Sequence, residues 1–120
     1  MNEDLTELQD RQQQFIDERD WEKFHTPKSL AMAISVEASE LVEVFQWHDN
    51  LPAEEYEQDA EIENAVEEEL ADIVIYCLSM AAEFDIDLET AVAHKLTENE
   101  NRFNRETSEA IRRNLQEWNE

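Results

Sequence analysis

The chain has 120 residues, of which 41% are hydrophobic and 34% charged, and its 32 acidic and 9 basic residues give a formal net charge of −23. This size and apolar content predict one domain with one core, and the absence of glycine disfavours Rossmann and P-loop units, whose turns need glycine. Because so negative a surface repels nucleic-acid backbone and anionic lipid, we expect neither to be a partner.

Apolar residues recur at helical spacing along nearly the whole chain, which predicts an all-α fold. The predicted elements are, in chain order, a polar helix over 3–18, a connector over 19–25, a helix from 27 to 47 or 48, an acidic loop to 58, and helices over 59–84, 88–103 and 108–118. Thr26-Pro27 is typical of a helix start, Asp87 is a candidate cap for the fourth helix, and Thr107 or Ser108 for the last. Short loops between long helices favour a four- to five-helix antiparallel bundle. We predict one such domain over 1–120, with its core at about 14–105.

Three features of the chain predict a cytoplasmic protein that is not embedded in a membrane. Acidic residues interrupt every apolar stretch well before the roughly 18 residues that a membrane span requires. Met1-Asn2-Glu3-Asp4 is acidic where a signal peptide would be basic. The single cysteine, Cys77, cannot form an internal disulfide, which suits a reducing compartment.

Four acidic residues coincide with the apolar faces of two predicted helices. At about 100° per residue, Glu37 lies near the middle of the apolar stripe of the second helix, with Glu40 about 60° to one side. Glu69 lies at the centre of the stripe of the third helix, with Asp72 beside it. Ionised carboxylates facing an apolar interior are costly unless they are compensated, and no basic residue lies on either stripe. These acids therefore need a partner.

A hard divalent cation is the partner that best fits these acids, because every ligand would be a carboxylate oxygen. This predicts Mg²⁺, or alternatively Mn²⁺, and argues against zinc. The same acids could instead hydrogen-bond to buried backbone or lie in a wet subunit interface. A di-iron carboxylate bundle needs two Glu-x-x-His motifs, whereas the single one here, Glu22/His25, precedes the bundle helices.

The fourth predicted helix carries side chains of the types that bind phosphate. Lys95, Asn99 and Arg102 are spaced i, i+4, i+7 on one face. Cations and amides beside an acid-lined metal site suit a phosphate chain. Alternatively, Lys95 and Arg102 could pair with the abundant surface acids.

Aromatic residues lie at the rims of these faces, although aromatic side chains at helical spacing belong to the core more often than to a ligand platform. His25 and Trp47 adjoin element ends, where a cleft can open, so they are candidates for contacting a flat heterocycle. Tyr76 lies one turn beyond Asp72.

Four motifs follow one another in this chain. They are Arg19-Asp20-Trp21-x-x-Phe24-His25-x-Pro27, Ser35-Val36-Glu37-Ala38-Ser39-Glu40-Leu41-x-Glu43-x-Phe45-Gln46-Trp47, Glu68-Glu69-Leu70-Ala71-Asp72-Ile73-Val74-Ile75-Tyr76, and Lys95-x-x-x-Asn99-x-x-Arg102-Phe103. In this order they resemble the MazG-like, all-α nucleoside triphosphate pyrophosphatases, and within them the dCTP pyrophosphatase branch. Val36 stands where the broader family often has Glu and this branch often has Val or Ile.

The resemblance implies Mg²⁺-dependent hydrolysis of a (deoxy)nucleoside triphosphate, with dCTP or other dNTPs expected, to the monophosphate and pyrophosphate. It implies that the four acids, Glu37, Glu40, Glu69 and Asp72, bind the metal and act in catalysis. It also implies phosphate contacts from Lys95, Asn99 and Arg102, and a base and sugar pocket lined by His25, Trp47 and Tyr76. Members of the family assemble as dimers or tetramers, so we expect a homodimer or homotetramer.

Our hypothesis from the sequence is an oligomeric house-cleaning nucleotide pyrophosphatase. The metal would bridge the triphosphate and act as Lewis acid, and one carboxylate, with Glu40 as a candidate, would orient or deprotonate the attacking water. One alternative is a related all-α phosphohydrolase acting on dUTP or a non-nucleotide pyrophosphate. Another is a non-catalytic acidic interaction module, such as an antitoxin-like or DNA-mimicking protein, although a charge mimic needs its acids on the outside.

Overall fold

The structure is a computed structural model that describes residues 2–119. Helices account for all of its regular structure and no strand occurs among these residues, so the all-α prediction is confirmed. The five α-helices are α1 (Leu5–Glu18), α2 (Pro27–Phe45), α3 (Ala60–Glu83), α4 (Leu88–Arg102) and α5 (Arg105–Asn119). Short 3₁₀ helices, Glu22–Phe24 and Ala53–Tyr56, lie in the two connections of the first three helices.

The chain divides into two compact units after Asp87. The first contains α1, α2 and α3, and the second contains α4 and α5. That residues 1–120 form a single bundle domain therefore stays a prediction.

Side-chain caps explain where the first three helices begin. Asp4 accepts a hydrogen bond from the backbone N–H of Glu7 at 2.8 Å, and Asp59 accepts one from Ile62 at 3.1 Å. Thr26 caps α2 as predicted, with Pro27 at the first helical position. Each cap supplies an acceptor to an N–H group that has no partner within its helix.

Aspartate performs the task that glycine usually has at the ends of α1 and α3. Asp20 and Asp85 adopt left-handed φ values of 57° and 54°. The N–H of Trp21 then donates to Ile16 O at 3.1 Å, and that of Ile86 to Ala81 O at 2.9 Å. These six-to-one bonds define a Schellman motif at each end. Asp tolerates the left-handed region better than most residues, which is how a glycine-free chain makes these turns.

Two predicted boundaries are wrong. The helix predicted to reach residue 47 or 48 ends at Phe45, because His48 N donates to Phe45 O in a tight turn and the hydroxyl of Tyr56 donates to Asp49 O at 2.8 Å. The last helix begins at Arg105, not at Thr107 or Ser108. The Oδ1 atom of Asn104 accepts from Thr107 N at 2.9 Å and so caps the helix three residues earlier.

In the first unit, α3 packs against both α1 and α2. Gln12 on α1 donates to Ser79 on α3 at 3.2 Å, whereas the earlier Gln9 donates to the carbonyl of the later Ile86 at 2.7 Å. The two helices are therefore antiparallel. Each of the three helices contributes to the buried apolar core, which comprises Ile16, Leu30, Leu78 and Ala81.

Helices α2 and α3 also run antiparallel. Glu37 and Asp72 line one cavity, and further along α2 Phe45 lines a groove with Ile62, near the start of α3. This arrangement brings the two acidic motifs side by side. None of the described helices combines the length and the apolar content needed to cross a bilayer.

Candidate metal and nucleotide site

Three of the four predicted acids form a cluster where α2 and α3 cross. One carboxylate oxygen from each of Glu37, Glu40 and Glu69 lies within 4.8 Å of the other two, and all three residues are half-buried. The i, i+3 spacing of Glu37 and Glu40 places both on one side of α2, and the antiparallel α3 brings Glu69 to them. The cluster is thus a product of two helix faces meeting.

Two oxygens of this cluster have no hydrogen-bond donor among the described residues. They are Oε2 of Glu37 and Oε2 of Glu69, both shielded from solvent. While both carboxylates are ionised, neither can donate to the other, and a buried acceptor without a donor is costly. A proton or a cation between them would remove that cost.

Proximity of the carboxylates changes the protonation of Glu37 and Glu40. Hydrogen bonding with Glu69 is the main cause that raises the pKa of Glu37, with burial second. Hydrogen bonding with Glu37, followed by its charge, raises the pKa of Glu40. Like charges that share a small volume favour the form that keeps a proton between them.

Asp72 differs from the other three acids. It lies one turn after Glu69 and lines the same cavity as Glu37, and its charge contributes to the raised pKa of Glu37. Its side chain is exposed, however, and it is not one of the three acids in the cluster. The prediction that the four acids lie at or beside the apolar helix faces therefore has two outcomes: Glu37, Glu40 and Glu69 are half-buried, and Asp72 is exposed.

A cavity of about 500 Å³ adjoins this cluster. His25 and Tyr76, both predicted from the sequence, line it together with Glu37 and Asp72. The Nδ1 atom of His25 lies 3.0 Å from the carbonyl oxygen of Trp21. Because a carbonyl can only accept, Nδ1 carries a proton in that bond, and Nε2 is the acceptor of the neutral ring. The cavity thus has a carboxylate wall and an aromatic wall.

Sequence reasoning missed part of the aromatic wall. Gln12 and Phe15 of α1 line the cavity, as does Trp21, whose ring meets that of Phe15 edge-on with centroids 5.8 Å apart. Phe15 is one of the apolar residues of the first predicted helix, and this spacing indicates only a helix; Gln12 has no distinguishing sequence signal. The signal for Trp21 was its place in the first motif, two residues after a helix end.

Trp47 is not among the residues that line this cavity. It lies beyond the end of α2, and its side chain is 88% exposed. The structure therefore does not bring it together with His25 and Tyr76.

The three predicted phosphate-binding residues lie on α4, in the second unit. Lys95 approaches Glu98 at 3.9 Å, with both side chains mostly exposed, so this pair contributes little to stability. The guanidinium of Arg102 lies 4.9 Å from the ring centre of Phe103. Asn99 is half-buried. Among the described residues, no strong ion pair involves Lys95 or Arg102.

The raised pKa values predict how the stability of the metal-free protein depends on pH. In the folded state Glu37 and Glu40 hold protons above their ordinary value of 4.5, so between that value and the raised one the folded chain binds more protons than the unfolded chain. This contribution is fully present below pH 4.5 and is lost as the pH rises through the raised pKa values. Chemical denaturation of metal-free wild type and Glu37→Gln across this range would measure it. Because both chains share the acidic background, we expect the wild type to lose more stability with rising pH; parallel curves would contradict the coupling.

The chain is similar to known proteins over most of its length. The model of the MazG-like family matches residues 32–118. The chain is 42% identical over 91 residues to rat (Rattus norvegicus) dCTP pyrophosphatase 1 and 41% identical over 91 residues to the human (Homo sapiens) protein of the same name. Each match covers 75% of this chain and 53% of the relative, so the chain spans about half the length of these curated relatives.

A solved structure is similar over most of the chain. The crystal structure of a pyrophosphatase from Archaeoglobus fulgidus superposes with a TM-score of 0.74 at 39% sequence identity. The superposition covers 88% of this chain and 96% of that one.

Proposed function

We propose, since the chain belongs to the MazG-like family, that it hydrolyses nucleoside triphosphates, with dCTP or other dNTPs as its substrates, to the monophosphate and pyrophosphate. The proposal draws on relatives named for this reaction on dCTP and on the pyrophosphatase of similar structure. The role would be to clear nucleotides from the cellular pool.

One observation carries the proposal. Carboxylate oxygens of Glu37, Glu40 and Glu69 converge within 4.8 Å, at a cavity whose other wall includes His25 and Tyr76. A triphosphate needs its charge compensated, and a base needs a flat, partly apolar surface. The two walls of this cavity meet both needs.

The cluster fits a hard divalent cation. Two shielded oxygens without a donor lie in an all-carboxylate set, which is the ligand type that Mg²⁺ and Mn²⁺ prefer. We propose that Glu37, Glu40, Glu69 and Asp72 hold Mg²⁺, or alternatively Mn²⁺. When bound, the metal would neutralise phosphate charge and act as a Lewis acid.

The carboxylates would also handle the proton of the reaction. Water attacks the α-phosphorus, the bond from that phosphorus to the α–β bridging oxygen breaks, and pyrophosphate leaves with that oxygen. We assign the proton from water to Glu40, whose carboxylate lies beside those of Glu37 and Glu69 and can act as a general base.

The base and the phosphates would meet different parts of the chain. We assign the base and sugar to His25 and Tyr76, with Trp21 and Phe15 completing the aromatic wall. We keep Trp47 as a proposed base contact, and Lys95, Asn99 and Arg102 as proposed phosphate contacts, on the resemblance and on side-chain chemistry alone. Cations and amides of these types bind phosphate oxygens well.

We further propose a homodimer or homotetramer in a reducing, cytoplasmic setting. Exposed large apolar side chains such as Val42 (66%), Leu70 (50%) and Val74 (42%) support assembly, because burying exposed apolar surface favours association. The lone Cys77 is half-buried as a free thiol, and burial raises its pKa, which suits a structural thiol in a reducing compartment.

Pyrophosphate release over a panel of nucleotides, with and without Mg²⁺, tests the proposal. We expect Mg²⁺-dependent release of pyrophosphate, and no single phosphate, from dCTP or another dNTP. Release from dUTP or from a non-nucleotide pyrophosphate alone would favour a related phosphohydrolase. No release, with tight binding to a basic protein, would favour an acidic interaction module.

A further inference from the structure

The second unit carries an exposed apolar stripe. No residue of α4, and no residue of α5 from 105 to 118, is buried. On α5, Ile111, Leu115 and Trp118 are spaced i, i+4, i+7, and they are 39%, 56% and 84% exposed. A helix with one apolar stripe gains most of its stability from packing that stripe against a partner. We therefore expect this stripe to bind another apolar surface.

The charge of α5 differs from that of the rest of the chain. Its three arginines balance its three glutamates, so α5 is neutral in a chain of −23. Arg105 and Arg112 lie about 100–120° around the helix from Ile111, so they flank the apolar stripe on the same side. Arg113 points away from the stripe and lies 3.9 Å from Glu109. The partner surface should therefore combine apolar area with acidic residues on one edge.

Such a surface lies in the first unit, where the end of α2 and the start of α3 enclose a groove of about 670 Å³. Its floor is apolar and aromatic and is formed by Phe45, Leu51, Tyr56, Ile62, Val66 and Leu70. Three glutamates, Glu57, Glu63 and Glu67, also line it, and no ion pair involves them among the described residues. The groove thus offers apolar area edged by unpaired negative charge.

We propose that α5 of a second copy of the chain docks in this groove. The stripe from Ile111 to Trp118 is about 10 Å long, and the α3 face from Ile62 to Leu70 about 12 Å, at 1.5 Å per residue. The positions of the charged residues determine the direction in which α5 would lie. Seen along each helix from its N-terminus, Glu63 and Glu67 lie on the same rotational side of the α3 face as Arg112 does of the α5 stripe. Two facing helices bring such flanks together only when they run antiparallel. Trp118 then lies near Ile62, and Ile111 near Leu70.

Charge selects this groove over the other apolar groove of the first unit. That second groove, between α1 and α3, is lined by no acidic residue. Its charged lining residue, Arg11, is already paired with Glu3 at 2.6 Å, so this groove offers no negative edge to the arginines of α5. Charge also favours a second copy as the occupant. Chains of −23 repel one another except where a basic edge meets an acidic one, and this chain carries both edges. Reciprocal exchange of α5 would close a two-fold dimer. The inference does not depend on the proposed hydrolysis.

Disulfide trapping between two different chains tests the contact and its direction. In a Cys77→Ser background, a chain with Ile62→Cys is mixed with a chain with Trp118→Cys, so that every disulfide joins two chains. We expect the mixture to form a covalent heterodimer under mild oxidation, and in much higher yield than a mixture of Ile62→Cys with Ile111→Cys. Equal yields from both mixtures, or none from either, would overturn the proposal. A chain with both Ile62→Cys and Trp118→Cys that closes only on itself would show that α5 binds its own groove, which would also overturn it.

A charge reversal with a matched neighbour gives a second, independent measurement. Arg112→Glu places a like charge against the acidic edge and should weaken dimerisation at least about tenfold in sedimentation experiments. Arg113→Glu changes the charge of the same helix equally but on its outer face, so it should leave dimerisation unchanged. Equal effects of the two variants would mean that net charge alone controls assembly and would contradict the docking.

Discussion

Replacing Glu37 by glutamine should reduce pyrophosphate release roughly a hundred- to a thousandfold, which is the usual cost of losing one electrostatic group that stabilises a transition state. The change keeps the size of the side chain and removes its charge, and it leaves the helix intact. Steady-state assays on the preferred nucleotide at saturating Mg²⁺ would measure it. Asp72→Asn should act in the same direction.

A second measurement on the same variant separates a functional role from a structural one. Glutamine brings N–H donors to the oxygens of Glu37's neighbours and removes like-charge repulsion, so the metal-free Glu37→Gln protein should be at least as stable as wild type. Glu61→Gln, at an exposed glutamate of α3 outside the cluster, is the matched control and should keep full activity. Full activity in Glu37→Gln, or equal losses in both variants, would refute the assignment of the site.

Mg²⁺ should raise the melting temperature of the protein by about 10 °C at a concentration a hundred times its dissociation constant. A ligand at that excess adds about 2.7 kcal/mol to the free energy of unfolding, and for a domain of this size each kcal/mol corresponds to about 3–5 °C. Calorimetry of metal-free protein titrated with MgCl₂ would measure the shift, and a chelator should reverse it.

Salt must be controlled in that titration, because any cation screens a charge of −23. NaCl at matched ionic strength is the control and should produce a clearly smaller shift. In Glu37→Gln the difference between MgCl₂ and NaCl should shrink or vanish. A wild-type shift that NaCl reproduces in full would mean general screening, and the carboxylate cluster would then have no specific cation.

A negative result in the Mg²⁺ titration and a negative result in the disulfide trapping would refute different proposals. Loss of the specific Mg²⁺ shift would remove the proposed chemistry and leave the docking of α5 untouched. Failure of trapping would remove the proposed dimer contact and leave the metal site as it is. The two proposals use different residues: the metal site uses acids of α2 and α3, and the docking uses α5 together with the groove between the end of α2 and the start of α3.

Local chemistry explains why the helices could be predicted well. Thr26 caps the start of α2, and Pro27 has a fixed φ angle that suits the first helical turn. These two residues are adjacent in the sequence, so the sequence alone predicts where the helix begins. The last helix was misplaced because Asn104 and Ser108 are both good caps, and the sequence does not say which is used. The end of α2 depends on Tyr56, whose hydroxyl binds Asp49 O across seven residues, so no local pattern reveals it.

The acidic site was partly predictable for the same reason. Helical periodicity alone puts Glu37 and Glu40 on one face of α2, and Glu69 on the apolar face of α3. Periodicity does not indicate how deeply a helix face is buried, and so it does not predict that Asp72 is exposed. It also gave no reason to separate Trp47 from His25, because both simply adjoin element ends.

Spacings of three and four residues in the sequence determine the order of the helices, their faces and the carboxylates on each face. Such spacings depend only on the geometry of a single helix. Which faces meet is a matter of long-range packing. The antiparallel pairing of α2 and α3 brings Glu69 to Glu37 and leaves two oxygens without donors, and the left-handed turn at Asp20 leads the chain into the segment that carries Trp21 and His25 to the cavity. Contacts between residues far apart in the chain depend on the whole fold at once, so no local stretch of sequence contains them.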